Sequence, residues 1–243
     1  MRRVRAVLAL AFLATVLLAG CKSEMDYGLL DPQDFAGLDG GGLPFNAQNL
    51  ISNEALADAS AADLALIQKF FRRSPYNRTS FLETYSSGGV RAADAIIRAA
   101  RYYQLNPIVL LARAQSDKGL VGARDYPFPT ERVEYAFRCG CGGPGACDQR
   151  FAGLDKQIDC LAAQIRTALN EATDSGRTSG GWAPGTPQTT LDGVSITPEN
   201  AATAALYQVL PVVAEGRAGG NWIFWNILRQ YSEALNYFGP GGI

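Results

Sequence analysis

The sequence predicts a mainly α-helical fold with long disulfide-stapled loops and little β structure. Apolar residues recur at helical spacing through Leu154, Ile158, Leu161, Ile165 and Leu169. A complete start and stop signal brackets the stretch between Asn106-Pro107 and Gly119. Sustained strand alternation and internal repeats are both lacking, apart from short candidate pieces such as LDGVSI.

Residues 1–20 are set aside from the fold. Arg2, Arg3 and Arg5 precede an apolar run from Ala6 to Leu18, and Leu18-Ala19-Gly20 ends it just before Cys21. A basic start, a short apolar segment and small residues describe an export signal, too short for a stable membrane span. The Cys at the cut resembles the lipobox of bacterial lipoproteins. That resemblance implies cleavage before Cys21 and a diacylglycerol on its sulfur, anchoring the chain to a membrane. Lys22 stands where Asp would retain a lipoprotein in the inner membrane, so the expected location is the outer membrane, facing the periplasm. Residues 21–47 mix Gly, Pro, Asp and isolated apolar residues without periodicity and read as a flexible tether. The domain is expected over 48–243.

Ser60 is placed to cap a helix carrying Leu64, Ile67 and Phe70/Phe71, which Ser74-Pro75 ends. Gly88-Gly89 breaks the chain, and a helix is expected over 90–103. Asn106 caps the next helix, Pro107 occupies its first turn, and Gly119 stops it. After a loop-rich stretch over 122–150, a helix spans roughly 153–172. A second polar loop covers 174–197, and the two loops are expected to flank a cleft. Pro198 opens an Ala-rich helix cut by Pro211, and an aromatic helix runs from about Asn221 to Tyr237.

The full chain carries 22 basic and 23 acidic side chains, a net charge of −1. Without the three leader arginines it is more acidic, which gives no electrostatic case for nucleic acid as a partner. Histidine is absent, which excludes Ser-His-Asp and Cys-His nucleophile systems and any His-ligated zinc. Acid–base work falls to carboxylates, lysines or tyrosines. Cys139, Cys141, Cys147 and Cys160 lack the two-residue spacings of zinc sites. In an exported chain they read as two disulfides with three possible connectivities, Cys139 and Cys141 each finding a more distant partner. No metal or organic cofactor is called for.

Asp117 lies in the last turn of the 106–118 helix. The carbonyls there carry partial negative charge and oppose ionisation, so this carboxyl is expected to hold its proton as a general acid must. Its surroundings resemble exported bacterial domains of the lysozyme-like superfamily, the lytic transglycosylases and glucosaminidase-related proteins. The resemblance rests on Asn49-Leu50-Ile51-Ser52, then ALIQKFF, then Asn106-Pro107 with Val109-Leu110-Leu111, Gln115, Asp117 and Gly119-Leu120. It continues through CGCGGPGAC, the helix around Gln157, ENAATAALYQVLP and GNWIFW, in order from about residue 49 to 231.

The resemblance implies a glycan groove, a peptidoglycan-like substrate and Asp117 at the position of the usual catalytic glutamate. The side chain here is one methylene shorter, roughly 1.5 Å of reach. Val209 and Leu210 replace the usual Tyr and Thr. Gln115 and Tyr207 are candidate substrate contacts, and Trp182, in a Gly/Pro loop, is expected to be exposed for sugar stacking. Trp222 and Trp225 fit a core stripe better. Glu131 and Glu134 are the nearest spare glutamates. Three functional readings follow: a glycan-cleaving envelope lipoprotein, a catalytically inactive lipoprotein of the same fold that binds the cell wall or a partner protein, and an exported disulfide-stapled adaptor with no glycan role.

Overall fold

A computed structural model describes residues 44–123, 130–143, 146–217 and 219–239. Cys21, the leader and most of the tether lie outside the described residues. Eight α-helices occur among the described residues: α1 (Asn53–Leu56), α2 (Leu64–Arg72), α3 (Ala92–Tyr102), α4 (Pro107–Lys118), α5 (Thr130–Glu134), α6 (Leu154–Asp174), α7 (Ala201–Val209) and α8 (Asn221–Ala234). Two antiparallel hairpins complete them. Ser86–Ser87 (β1) pairs with Val90–Arg91 (β2), and Gln188–Thr189 (β3) pairs with Ser195–Ile196 (β4).

The helical architecture agrees with the sequence, while three boundaries move for identifiable reasons. Asp63, not Ser60, caps α2: its Oδ1 accepts from Leu66 N at 2.8 Å, while the Ser60 hydroxyl donates to Asp58 Oδ1. The cap sits immediately before the apolar stripe it must orient. Val90 and Arg91 belong to a hairpin, because Gly88 and Gly89 take φ of +57° and +80°, the pair of left-handed conformations that turns one strand back onto the other. α7 starts after Asn200, whose Oδ1 accepts from Thr203 N at 2.8 Å, rather than at Pro198.

α4 is buried along almost its whole length. Every residue from Pro107 to Ser116 is shielded from solvent, which is the pattern of a helix enclosed on all sides rather than laid on a surface. α3, α6 and α8 pack against it, and α6 also packs on α3 and α7. One buried apolar cluster extends from Leu50 to Leu235. The start of α4 is fastened by Asn106, whose Oδ1 accepts from Ile108 N at 2.8 Å and whose Nδ2 donates to Ala55 O at 3.0 Å. At the other end Gly119 turns left-handed (φ +60°), with its N–H on Gln115 O at 2.7 Å and Leu120 N on Ala114 O at 3.1 Å.

The segment before α1 is sewn to α7. Leu50 N donates to Thr203 Oγ1, Asn200 Nδ2 reaches Asn49 Oδ1 and Ile51 O, and Asn49 Nδ2 donates to Glu199. The Asn49 and Ser52 of the NLIS motif thus act as fasteners, Ser52 by capping α1.

Two disulfides form, Cys139–Cys160 and Cys141–Cys147. The first ties the loop before α6 to α6 itself, and the second closes a small glycine loop. Among the described residues no helix is long and apolar enough to cross a membrane.

Replacing Asn106 with Ala removes the cap and leaves Ala55 O without its donor; a loss of about 1–3 kcal/mol in urea unfolding is expected. Replacing Cys139 and Cys160 together with Ala, which opens a loop of sequence separation 21, is expected to cost about 3 kcal/mol. Opening the Cys141–Cys147 loop, of separation 6, should cost less in the same assay.

Candidate functional site around Asp117

The apolar sequence of α4 sets the position of Asp117. A helix buried through Ser116 and stopped by a left-handed glycine delivers its last turn to the edge of the core, where the Asp117 side chain keeps 25% of its surface exposed. Ser116 Oγ donates to Asp117 Oδ1 at 2.8 Å, and Arg113 Nη1 lies 3.8 Å from the same oxygen, one helical turn back.

Arg113 is fully buried. Its Nη2 donates to Asn221 Oδ1 at 2.7 Å, and its guanidinium carbon sits 3.9 Å from the centre of the Phe224 ring, so α8 supplies both a hydrogen bond and a cation–π face. Burial nevertheless lowers the pKa of this arginine, and its Nε and Nη1 have no hydrogen-bond partner among the described residues.

Burial pushes the Asp117 carboxyl above the usual aspartate range, against the opposing pull of Arg113, the Ser116 hydroxyl and Lys118. The direction agrees with the sequence expectation, but the principal cause differs: desolvation, set by how deeply α4 is enclosed, dominates. Other aspartates go the opposite way. At Asp192, burial is outweighed by donors from Thr190 Oγ1, Ala214 N and Val213 N, which hold its pKa down. Asp58 is likewise held down, where burial is outweighed by Ser60 and Tyr237.

The loop after α4 is held from three directions. Gln115 Oε1 accepts from Gly122 N at 2.8 Å, Arg78 Nη2 donates to Gly122 O, and Arg132 on α5 donates to Lys118 O at 2.9 Å and Gly119 O at 3.3 Å. Gln115 is wholly buried, and its Nε2 has no hydrogen-bond partner among the described residues. The amide therefore fixes the loop beside Asp117.

Trp182 requires a correction. It is not exposed but 2% accessible, stacked on Tyr207 with ring centres 4.9 Å apart and planes at 22°. Its loop folds inward because Thr178 N donates to Trp182 O at 2.8 Å and Trp182 N returns a bond to Thr178 Oγ1 at 3.0 Å. A glycine-rich composition permits that tight turn as readily as an exposed one. Tyr207 is also fully buried, its hydroxyl donating to Ala47 O at 2.9 Å. Burial pushes its pKa up, the Asp192 charge adds to the rise, and Arg113 opposes it. Trp182 and Tyr207 are thus brought together, but in the core. Trp225 is buried edge-on to Phe45 and Trp222 packs on the core, as the sequence indicates. Glu131 is exposed, and the Glu134 backbone carbonyl accepts from Gly153 N.

Arg113 is the residue that sequence reasoning passed over. An arginine inside the apolar run LLARAQ, four residues before an aspartate, is a readable signal of a buried pair. Asn221 and Phe224 were beyond reach, because only the packing of α8 on α4 brings them alongside. Among the described residues no cluster of His, Cys, Asp and Glu side chains is arranged to hold a metal ion.

Since the folded state holds the Asp117 proton more tightly than the unfolded chain, the stability linked to this group is full below about pH 4 and is lost as pH rises through the folded value. The stability of the native protein relative to Asp117→Asn should therefore fall as pH rises from about 4 in urea unfolding. A difference that stays constant with pH would mean that burial does not raise this carboxyl.

No family description, curated protein or solved structure matches the chain.

Proposed function

We propose that the protein is a lipoprotein of the bacterial cell envelope, lipid-anchored through Cys21 at the outer membrane, whose helical domain has the lysozyme-like fold, binds peptidoglycan strands and cleaves them with Asp117 as general acid. The observation that carries this reading is the desolvated Asp117 carboxyl, pushed up in pKa at the solvent edge of a buried helix, with a cation and a hydroxyl beside it.

The chemistry asked of it is one proton transfer. Protonated Asp117 donates to the glycosidic oxygen, the C1–O bond breaks, and the electron pair leaves with that oxygen. The carboxylate left behind is stabilised by Ser116 Oγ at 2.8 Å and Arg113 Nη1 at 3.8 Å. The acetyl oxygen of the substrate's own N-acetyl group closes on C1, so a second enzymatic carboxylate is not required. Water opening that intermediate, or the substrate's own hydroxyl displacing it, gives the proton back to Asp117.

A second reading has its own support. Gln115, Tyr207 and Trp182 all spend their polar groups or faces inside the protein, and Arg113 and Asp117 together make a serviceable structural ion pair. These features favour a lysozyme-like lipoprotein that binds the cell wall or a partner protein without cutting glycan.

Release of soluble fragments from purified peptidoglycan separates the two. Catalysis by Asp117 predicts turnover that falls about 100-fold or more in Asp117→Asn. Equal release by the native protein and this variant, with pelleting on insoluble peptidoglycan intact, would leave only the binding reading.

A further inference from the structure

A depression of about 540 Å³ lies between α6, the turn at 178–181 and the end of α7, and Asp117 does not line it. Its polar groups have directions set by their internal bonds. Gln208 Oε1 accepts from Thr178 Oγ1 at 2.9 Å and from Gly180 N at 2.8 Å, so Nε2 is left as an outward donor. Gln164 Nε2 turns to the sulfurs of Cys139 and Cys160 at 3.7 and 3.6 Å, so its Oε1 is left as an acceptor. Glu171 holds Ser179 N through Oε2 at 2.7 Å and keeps Oε1 for another donor. The floor between them is small and apolar, made by Ala163, Ala168 and Val209.

We propose that this depression is a binding site for an N-acetylated sugar, separate from the Asp117 site. An acetamido group carries one acceptor, one donor and a methyl. Its carbonyl oxygen accepts from Gln208 Nε2, its N–H donates to Gln164 Oε1, and its methyl rests on the alanine floor. Ring hydroxyls pair with Glu171 Oε1 and with the exposed hydroxyl of Thr167. Glu171 is the one charged residue in the lining, so phosphates, nucleic acid and acidic peptides meet a carboxylate with no cation to offset it.

The walls are preorganised. The Cys139–Cys160 disulfide fixes one end, and the Trp182–Tyr207 stack lies behind the 178–181 turn, so little conformational entropy is lost on binding. Linking this sugar to a cell-wall strand rests on the function proposed above, whereas recognition of the acetamido group does not.

The test is calorimetric titration of the full chain in detergent with triacetylchitotriose, an uncharged oligomer of N-acetylglucosamine. Saturable binding is expected in the native protein. Thr167→Arg fills the depression from an exposed helical position. Gly180→Ala drives a Cβ to within 2.2 Å of Gln208 Oε1 and displaces that amide. Each should weaken binding about tenfold or more, with unchanged far-UV circular dichroism.

No saturable binding by the native protein, or full binding in both variants, overturns the proposal. Equal binding of N-acetyl-dialanine methylamide, lost in the same variants, would make the site a peptide groove and overturn the sugar assignment. The Asp117 reading is judged separately, by fragment release, so failure of one leaves the other standing.

Discussion

α4 has no solvent-facing side between Pro107 and Ser116, and α3, α6 and α8 pack around it so that its apolar surface leaves water. That enclosure fixes more than packing. A helix buried on every side has to end near the solvent boundary, and its last turn must be closed without exposing the core. Gly119 performs the closure, and Gln115, Arg78 and Arg132 hold the chain that follows. Asp117 inherits its desolvation from this arrangement, because the same neighbours that bury α4 exclude water from most of its carboxyl.

Arg113 is the cost of that design. A guanidinium wholly removed from solvent gives up hydration worth several kcal/mol, and the fold offsets it from three sides, with Asn221, the Phe224 ring and Asp117. Asn221 is itself committed, its Nδ2 donating to Leu210 O at 2.7 Å and Val212 O at 3.1 Å. The start of α8, the chain after α7 and the end of α4 are therefore joined through one arginine. The pair serves both readings of function: it steadies the core, and it stabilises the carboxylate that remains after a proton has left Asp117.

The long loop between α6 and α7 shows how composition misleads about exposure. Its glycines and threonines allow tight turns, and here those turns direct Trp182 inward against Tyr207 instead of outward. What lines the depression beside this loop is not aromatic. It is a set of amides, hydroxyls and one carboxylate whose free atoms are defined by the bonds the others already make.

The sequence by itself determined, to within a few residues, where the longer helices lie, because periodic apolar residues, the Asn106 cap, Pro107 and Gly119 act over a few residues and do not depend on distant contacts. It also determined that histidine chemistry is excluded, that four cysteines pair as disulfides, and that Asp117 ends a buried helix. Pairing Cys139 with Cys160, the partners of Arg113, the inward face of Trp182, and the cause of the Asp117 shift were decided only by tertiary structure. Each depends on which residues from far along the chain arrive at the same place: Asn221 lies 108 positions from Arg113. Local pattern carries no record of that meeting, because it is the joint burial of α4, α6 and α8 that sets it.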